Sequence, residues 1–505
     1  MNLFEHLAAA HRLQPDAICL SSVSDHQQTD WSWAELDATS ARIANWIVNL
    51  GLPPQARVLV QVEKSAAALC LYLACLRSGM IYVPLNTAYQ QTELAYFIAD
   101  AQASLIVGRP QDLALLRELA NAHACPHVYG LAQDYHGADS LLDACASSAS
   151  EHQTATMAAG QLAAILYTSG TTGRSKGAML SHHNLASNAL TLHQVWHWQK
   201  QDVLLHCLPL FHVHGLFVAC HGALLAGARM IMLEKFELAP VLHYLPQTTV
   251  FMGVPTYYVR LLASPEFSQT HCRNVRLFIS GSAPLLLDTF TEFQHRTGHC
   301  ILERYGMSET TMLTSNPYQG LRQPGSVGPA LPSVSIRIQN EVNQTCDAGV
   351  IGAIQVKGPN VFAGYWQMPE KTASEFTADG YFITGDLGYF DQAGYLHIVG
   401  RSKDLIITGG YNVYPKEIEG YLDEITGVAE SAVIGLPHPD FGEAVCAVVV
   451  PRANANLNEQ DLIEQLKLKI ANFKVPKKIV FMAELPRNTM GKVQKNSLRQ
   501  QLSLT

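Results

Sequence analysis

The sequence predicts an α/β protein, and three observations support this fold class. Ala- and Leu-rich segments with helical spacing, such as residues 33–50 and 65–78, alternate with short β-rich runs such as 57–61 and 80–84. This alternation is typical of layered helices and largely parallel strands. Hydrophobic residues make up 48% of the chain and charged residues 15%, which is enough apolar material for a large core. The 505 residues allow about three compact units.

The same alternation continues through most of the chain. Short β-rich runs predict strands at residues 162–166, 203–208, 229–233, 250–253 and 276–280. From residue 325 to about residue 400, Gly, Pro, Asp and Asn separate short strands, which are expected at 334–339, 352–357 and 381–384. The sequence therefore predicts a large N-terminal domain, residues 1–400, whose last part is rich in β-structure.

A small α+β domain is predicted for residues 401–505. Its helices and strands are expected at 416–423, 428–435, 443–451 and 457–471. About a hundred residues are enough for a separate domain. The segment 486–495 is basic, and Gly491 with its polar neighbours indicates a surface loop whose lysines can reach into a neighbouring cleft.

Charge and composition exclude several classes of protein. Lys and Arg total 34 against 42 Asp and Glu, and no dense basic block is present, which excludes nucleic acid as the main ligand. None of the 11 cysteines has C-x-x-C spacing, so we expect a reduced, cytoplasmic protein. The apolar run 66–76 stops at Arg77 and is shorter than the ~20 residues of a membrane span. The first residues lack the pattern of a signal peptide.

The segment 167–177, Tyr-Thr-Ser-Gly-Thr-Thr-Gly-Arg-Ser-Lys-Gly, carries the clearest chemical signal. Its glycines allow backbone N–H groups to turn toward an anion, and its hydroxyls and Lys176 add donors suited to a triphosphate. It lacks the Gly-Lys-Ser/Thr order of a Walker A loop. We expect it to follow a strand and to lead into a helix capped by Ser181. A flexible linker is the alternative, but a linker rarely joins a buried strand to an amphipathic helix.

This loop resembles the signature of the AMP-forming adenylate enzymes, which include acyl-CoA synthetases, peptide-synthetase adenylation domains and luciferases. Four further segments of this family follow in order: Arg-Tyr-Gly-Met-Ser-Glu-Thr at 304–310, Tyr-Phe-Ile-Thr-Gly-Asp-Leu-Gly at 381–388, Gly-Arg-Ser-Lys-Asp at 400–404 and Pro-Arg-Asn-Thr-Met-Gly-Lys at 486–492. The resemblance implies a small, mobile C-terminal lid that rotates between two half-reactions, with its hinge at Lys403.

The resemblance also implies ATP and Mg²⁺ as ligands. It assigns Lys492, Glu309 and Lys176 to catalysis, with Lys492 entering the cleft from the lid and Glu309 holding Mg²⁺. Tyr305 is expected to stack on adenine and Asp386, assisted by Arg401, to bind the ribose. The implied ATP-binding residues are Thr168, Ser169, Gly170, Thr171, Thr172, Gly173, Gly281, Ser282, Ala283, Tyr305, Gly306, Ser308, Asp386 and Arg401. Core packing remains the alternative for Tyr305, and a solvated position for Glu309.

Two arginines stand in segments that line the acid pocket in this family. Arg260 and Arg304 together suit a second carboxylate, because each guanidinium can bind a carboxylate through two hydrogen bonds. The predicted acid-site residues are Arg260, Arg304, His212 and Ser280. A surface position remains the alternative for Arg260. His212 and His214 form a His-x-His pair without evident further metal ligands, so pocket lining is favoured over zinc.

With Met-Gly-Val-Pro-Thr at 252–256 and Glu-Arg-Tyr-Gly-Met at 303–307, the chain resembles the malonyl-CoA synthetases. This implies ligation of malonate, or also methylmalonate, to coenzyme A through an acyl-adenylate. Gly409 and Gly410 are expected to approach the pantetheine. The motif around Lys492 also resembles the site at which acyl-CoA synthetases are switched off by lysine acetylation, which implies a lysine acetylase as a partner.

Three alternative functions remain open. One is a synthetase for another short or medium-chain acid, in which both arginines are structural. Another is a stand-alone adenylating enzyme that loads a carrier protein. A nucleotide-binding scaffold without catalysis is disfavoured, because Lys492, Glu309 and Asp386 are all present.

Overall fold

The structure is a computed structural model and describes residues 2–10, 13–24, 27–132, 134–168, 175–408, 411–439, 441–488 and 491–503. The α-helices in these ranges are α1 Leu3–Ala8, α2 Trp33–Asn49, α3 Ala66–Ser78, α4 Gln91–Ala101, α5 Leu113–Ala122, α6 Leu141–Cys145, α7 His182–Val195, α8 His221–Ala226, α9 Leu238–Tyr244, α10 Pro255–Ala263, α11 Gln269–Cys272, α12 Leu287–Thr297, α13 Pro369–Ser374, α14 Pro415–Asp423, α15 Glu459–Lys467 and α16 Lys495–Ser503.

The strands are β1 Ile18–Ser24, β2 Gln27–Ser32, β3 Arg57–Gln61, β4 Ile81–Pro84, β5 Ala103–Gly108, β6 His127–Gly130, β7 Leu162–Thr168, β8 Lys176–Ser181, β9 Val203–His206, β10 Arg229–Leu233, β11 Val250–Gly253, β12 Leu277–Ser280, β13 Leu302–Met307, β14 Thr311–Ser315, β15 Ser335–Gln339, β16 Gly352–Lys357, β17 Phe382–Phe390, β18 Leu396–Arg401, β19 Ile406–Thr408, β20 Tyr411–Val413, β21 Val428–His438, β22 Gly442–Pro451 and β23 Lys478–Phe481.

Mixed sheets form the layers of the N-terminal part. One has the strand order β14-β13-β12-β11-β9-β10-β1-β2 and another the order β6-β5-β3-β4-β7-β8. Their inner strands pair in parallel, whereas β2, β8 and β14 pair antiparallel at sheet edges. Parallel strands joined by helices confirm the predicted α/β fold class.

Helix α3 lies within a large apolar cluster of the N-terminal part, and all of its residues are buried. The Ser65 side chain caps the helix start by accepting a hydrogen bond from the N–H of Ala68, and Gly79 ends the helix with a φ of 72°. Arg77 in the last turn is buried and pairs with Asp37 at 2.9 Å. The apolar run that ends at Arg77 is therefore a core helix.

No helix among the described residues combines the length and the apolar character that crossing a bilayer requires.

The C-terminal third contains antiparallel sheets of smaller size. Residues 335–401 form a sheet with the order β15-β16-β17-β18. A further sheet has the order β20-β19-β22-β21, and β23 joins it by parallel pairing with β22. Helices α14 and α16 pack against β21. A large N-terminal part is thus followed by a small α+β part, as the sequence predicts.

The segment after the phosphate loop differs in part from the prediction. The helix predicted after the loop is present, but strand β8, which was not predicted, comes before it and pairs antiparallel with β7 up to Thr168 and Lys176. Helix α7 begins only at His182. Ser181 caps it as predicted, because its side chain accepts a hydrogen bond from the N–H of Asn184 at 3.1 Å. The open edge of β7 offers backbone partners that a helix would leave unused.

Glu309 lies in the turn between the antiparallel strands β13 and β14.

One predicted helix has different bounds in the structure. The helix predicted at 457–471 is α15 and is shorter, because Asn458 caps its start by accepting a hydrogen bond from the N–H of Asp461. Leu468 beyond its end is almost fully exposed.

Candidate active site

Predicted site residues gather at the carboxyl ends of the parallel strands β11, β12 and β13. Ser280 is the last residue of β12, residues 281–283 follow it, and Arg304 and Tyr305 lie on β13. Strands β12 and β13 pair in parallel through Ser280 and Glu303. Ligand sites of open α/β sheets lie at this end of the strands. The topology therefore brings predicted nucleotide and acid residues to one edge of a sheet.

Helix α4 holds both described ends of the phosphate loop. The Tyr167 hydroxyl donates a hydrogen bond to Asp100 Oδ2 at 2.5 Å, and the Tyr96 hydroxyl donates to the carbonyl oxygen of Ser175 at 2.7 Å. Thr168 is the last residue of β7. The other predicted members of this loop lie outside the described residues: Ser169, Gly170, Thr171, Thr172 and Gly173.

Tyr365 links the predicted catalytic residues Lys176 and Glu309. Its hydroxyl oxygen lies 3.0 Å from Glu309 Oε1 and 2.7 Å from Glu375 Oε2, and the Lys176 ammonium lies 4.0 Å from the centre of its ring. Lys176 also forms an ion pair with Glu375 at 3.2 Å. Sequence reasoning missed Tyr365 and Glu375. The only signal at Tyr365 is an aromatic pair after a glycine, which occurs in many proteins.

The environment of Glu309 fits a bound cation. The residue is 6% exposed, and burial raises the pKa of its carboxyl group. A nearby cation would favour the ionised form. Within the described residues, no group of three or more His, Cys, Asp and Glu side chains is placed to hold a metal ion. A Mg²⁺ ion at Glu309 would therefore take its other ligands from phosphate oxygens and water, which is common for this ion.

Asp386 is buried at the centre of the predicted ribose site. Strands β17 and β18 place Asp386 directly opposite Arg401, whose Nε lies 2.9 Å from Asp386 Oδ1. The Tyr305 hydroxyl donates a hydrogen bond to Asp386 Oδ2. The charge of Asp386 raises the pKa of Arg401. Since each carboxylate oxygen accepts more than one hydrogen bond, Asp386 keeps capacity for ribose hydroxyls.

Lys492 approaches this site from the small C-terminal part. Its loop is closed by hydrogen bonds in both directions between Lys492 and Asn488. Gly491 adopts a φ of 73° and packs against Thr256 on α10, which lies in the N-terminal part. Lys492 is open to solvent in the cleft, but surrounding protein and then the charge of Arg401 lower its pKa to about 8. The structure thus brings Lys492 to the Asp386 and Arg401 pair.

Three other predicted residues lie around the site, Gly306 on β13 and the other two at turns. Gly306 packs so closely that a Cβ atom would lie 1.9 Å from the carbonyl oxygen of Thr311. Ser308 stands in the turn directly before Glu309, and Lys403 lies in a short 3₁₀ turn, Ser402–Asp404, between β18 and β19. Gly409 and Gly410 lie outside the described residues.

Arg304 is a buried guanidinium that has no counter-ion in the part of the chain that the structure describes. It is 4% exposed, and its Nε and Nη2 atoms have no hydrogen-bond partner among the described residues. Burial lowers its pKa to about 9. Gly281 lies against it so closely that a Cβ atom there would be 2.4 Å from Arg304 Cζ. An unpaired buried charge is costly, so this position is suited to a bound anion.

Ser280 and His212 extend the surroundings of Arg304. Ser280 is buried, and its Oγ also lacks a partner in the described part of the chain. Burial, followed by the charges of Arg304 and Lys492, lowers the pKa of His212 to about 4. His212 is therefore neutral and lies within the electrostatic reach of both cations. Three of the four predicted acid-site residues share one environment.

Arg260 is the fourth predicted acid-site residue. It lies near the end of α10 and is exposed. Within the described ranges it forms no ion pair or hydrogen bond, although its charge acts on the hydroxyl group of neighbouring Tyr257. The structure does not bring Arg260 into contact with Arg304, and the surface alternative for Arg260 stays open.

The chain matches two protein families over most of its length. Residues 7–366 match the family described as AMP-binding enzyme, and residues 417–492 match the family described as AMP-binding enzyme C-terminal domain. Among curated relatives, the mitochondrial malonate–CoA ligase of Mus musculus is 39% identical over 462 residues, which cover 84% of this chain and 78% of the relative.

Solved structures show the same fold. ATP-bound MatB from Rhodopseudomonas palustris is 52% identical, with a TM-score of 0.96 over 100% of this chain and 99% of that chain. Apo MatB from the same organism, also 52% identical over 100% of this chain and 99% of that chain, gives a TM-score of 0.86. The arrangement described for this chain is therefore closer to the ATP-bound structure than to the apo structure.

Proposed function

The chain belongs to the AMP-binding enzyme family, and from that premise we propose that it ligates malonate to coenzyme A in an ATP-dependent reaction that passes through an acyl-adenylate. The observation that carries the choice of acid is Arg304, a buried guanidinium whose Nε and Nη2 lack partners among the described residues. A neutral-tailed acid would leave this charge unpaired, whereas the second carboxylate of malonate pairs with it. The identity to a malonate–CoA ligase supports the same acid.

In the first half-reaction, one malonate carboxylate oxygen attacks the α-phosphorus of ATP. The new O–P bond replaces the bond to pyrophosphate, which leaves. The carboxylate is already ionised at neutral pH, so no general base is required. The obstacle is repulsion between the anionic acid and the triphosphate, and the ammonium groups of Lys492 and Lys176 reduce it.

Glu309 would hold Mg²⁺, and the bound ion would supply positive charge to the phosphates. Tyr365 and Glu375 fix the positions of Glu309 and Lys176 through the contacts described above. Asp386 orients the nucleotide by accepting hydrogen bonds from the ribose, while the ion pair with Arg401 holds the Asp386 carboxylate in place.

In the second half-reaction, the thiol of coenzyme A attacks the carbonyl carbon of the adenylate. A C–S bond forms, the C–O bond to phosphate breaks, AMP leaves, and the thiol proton passes to solvent. Among the protein's own thiols, those of Cys207 and Cys220 are unsuited to this role, because both are buried and burial raises the pKa of each to about 12.

The charge of Lys492 predicts a pH dependence. Its pKa is lowered to about 8, so the ammonium is present below this pH and is lost above it. The kcat/KM for adenylation, which reports the free enzyme, is expected to be level below about pH 7, to fall to about half at pH 8 and to be about tenfold below its plateau near pH 9. ATP-dependent AMP release at saturating coenzyme A measures it. A level profile up to pH 10 would contradict a role for the Lys492 charge.

The packing of Gly281 against Arg304 predicts a further effect. In Gly281→Ala, the new Cβ atom would lie only 2.4 Å from Cζ of Arg304. Arg304 therefore has to move. We expect the KM for malonate to rise about tenfold, since a misplaced charge-assisted hydrogen bond costs on the order of 1.5 kcal/mol. Steady-state kinetics with malonate and ATP varied in turn measure this. An equal rise in both KM values would assign Gly281 to the nucleotide site.

A parallel substrate panel tests the proposed function. AMP release from ATP with coenzyme A is measured with malonate, methylmalonate, acetate, butyrate and octanoate. A strong preference for the dicarboxylates supports the proposal. Preference for a neutral-tailed acid would move Arg304 to a structural role, and AMP release only with a carrier protein in place of coenzyme A would identify a carrier-loading enzyme.

Four finer assignments belong to the same proposal. We place the domain boundary near residue 400 and the lid hinge at Lys403. Mg²⁺ acts at Glu309, so EDTA is expected to abolish AMP release and Mg²⁺ to restore it.

The protein is cytoplasmic. A lysine acetylase switches it off at Lys492, and mass spectrometry of the protein isolated from its host would detect that modification.

A further inference from the structure

We propose that His214, held in place by Ser282, is a further specificity-determining residue that donates a hydrogen bond to the distal carboxylate of the acid beside Arg304. This inference rests on the proposed function and deepens it. The resemblance places Ser282 beside adenine. The sequence gives His214 only a general place in the lining of the pocket and no hydrogen bond to the acid.

Ser282 is held in an unusual backbone conformation. It has a φ of +71°, in the left-handed region that non-glycine residues rarely adopt. Such strain persists where the surrounding structure fixes it, and it is common at functional sites. Ser282 directly follows Gly281, which packs on Arg304. The conformation places the Ser282 hydroxyl 3.3 Å from Nδ1 of His214.

His214 is buried, and one of its ring nitrogens is unused within the described ranges of the chain. The residue is 1% exposed, and its Nε2 has no hydrogen-bond partner among the described residues. It stands at the start of the π-helical turn His214–Cys220. Buried polar atoms are almost always paired, so an unused imidazole nitrogen next to an unpaired guanidinium indicates a common ligand.

The imidazole of His214 is neutral. Burial and then the positive charge of Arg304, with smaller effects from His212 and His206, lower its pKa well below the usual value. A neutral imidazole carries one proton, on either nitrogen. When the Ser282 hydroxyl donates to Nδ1, the proton resides on Nε2. Ser282 thereby converts Nε2 into a donor without adding a second positive charge beside Arg304.

The donors around Arg304 match one carboxylate. Arg304 supplies one positive charge with free Nε and Nη2 atoms, while Ser280 Oγ and His214 Nε2 are neutral and also unpartnered within the described chain. One anionic group can satisfy these donors and balance the charge. A methyl group in the same place would leave the donors unpaired, and sites of this kind reject such analogues strongly.

The test compares His214→Leu with His214→Gln, since the glutamine amide can place an N–H near the position of Nε2. We expect His214→Leu to raise the KM for malonate about tenfold or more, with the KM for ATP changed less than about twofold, and His214→Gln to retain most malonate binding. Ser282→Ala is expected to raise the malonate KM less than His214→Leu does. AMP release measures all of these values, and thermal melting confirms that each variant is folded.

The outcomes separate this inference from the proposed function. Wild-type protein that uses malonate, together with a malonate KM in His214→Leu within about twofold of the wild-type value, would overturn the inference alone. A rise in the ATP KM in Ser282→Ala with unchanged malonate KM would also overturn it, because Ser282 would then act on the nucleotide. Wild-type protein without activity on malonate would overturn both.

Discussion

Replacing Lys492 with alanine is expected to slow adenylation by about 10²–10³-fold, because removing one preorganised charge from a site where charge develops has effects of this size. The acyl-adenylate forms only when two anions meet, and Lys492 lies beside Asp386 and Arg401 at the mouth of the nucleotide site. Thioester formation from supplied malonyl-adenylate is expected to stay within about threefold of the wild-type rate, since no anions are joined in that step. Pyrophosphate release measures the first half-reaction, and AMP release from the adenylate measures the second.

The matched control is Lys478→Ala. Lys478 is an exposed lysine on β23 of the same small C-terminal part, and its removal is expected to leave both half-reactions unchanged. Equal losses of both half-reactions in Lys492→Ala would contradict a lid that presents this lysine only during adenylation. The same result with normal thermal melting would place Lys492 in a step common to both reactions.

Regular elements of the fold could be predicted because their sequence patterns are local. Strands β10, β11 and β16 begin and end where the apolar runs predict. Strand β17 was predicted to end at Thr384, because Gly385 and Asp386 are typical turn residues. In the structure the strand continues through Gly385 with a φ of 73°, and the register shifts just beyond it. This irregularity brings Asp386 opposite Arg401, which no local pattern indicates.

Sequence reasoning predicted the site residues that belong to a motif. It missed those that are defined only by contacts between residues far apart in the sequence. Lys176 pairs with Glu375, 199 positions away, and Tyr365 reaches Glu309 across 56 positions. A single sequence contains no signal for such pairs. The motif also identified Arg304 as a charge in an unusual place, but only the structure shows its unpaired, buried state. Arg260 was predicted to line the acid site with Arg304 and differs from it in exposure.

Replacing Arg304 with leucine is expected to lower kcat/KM for malonate by about 10³-fold or more. A site whose buried donors bind a polar group of the substrate rejects analogues without that group by about 10⁴–10⁵-fold, so losing the Arg304 donors is expected to have a large effect. Activity on butyrate is expected to rise, since leucine offers an apolar wall of similar length. AMP release with malonate and with butyrate measures both changes. The ratio of the two kcat/KM values is the informative quantity, because it cancels losses in ATP binding.

A folding defect is not expected to explain this result. Arg304 has no counter-ion among the described residues, so leucine removes an unpaired buried charge, and such replacements are often neutral or stabilising. The melting temperature of Arg304→Leu should therefore equal or exceed that of the wild type. Arg273→Leu, at an exposed arginine after α11, is the matched control and should keep the malonate preference. Unchanged malonate turnover in Arg304→Leu would remove Arg304 from the acid site, and a lower melting temperature with lost activity on every acid would make its role structural.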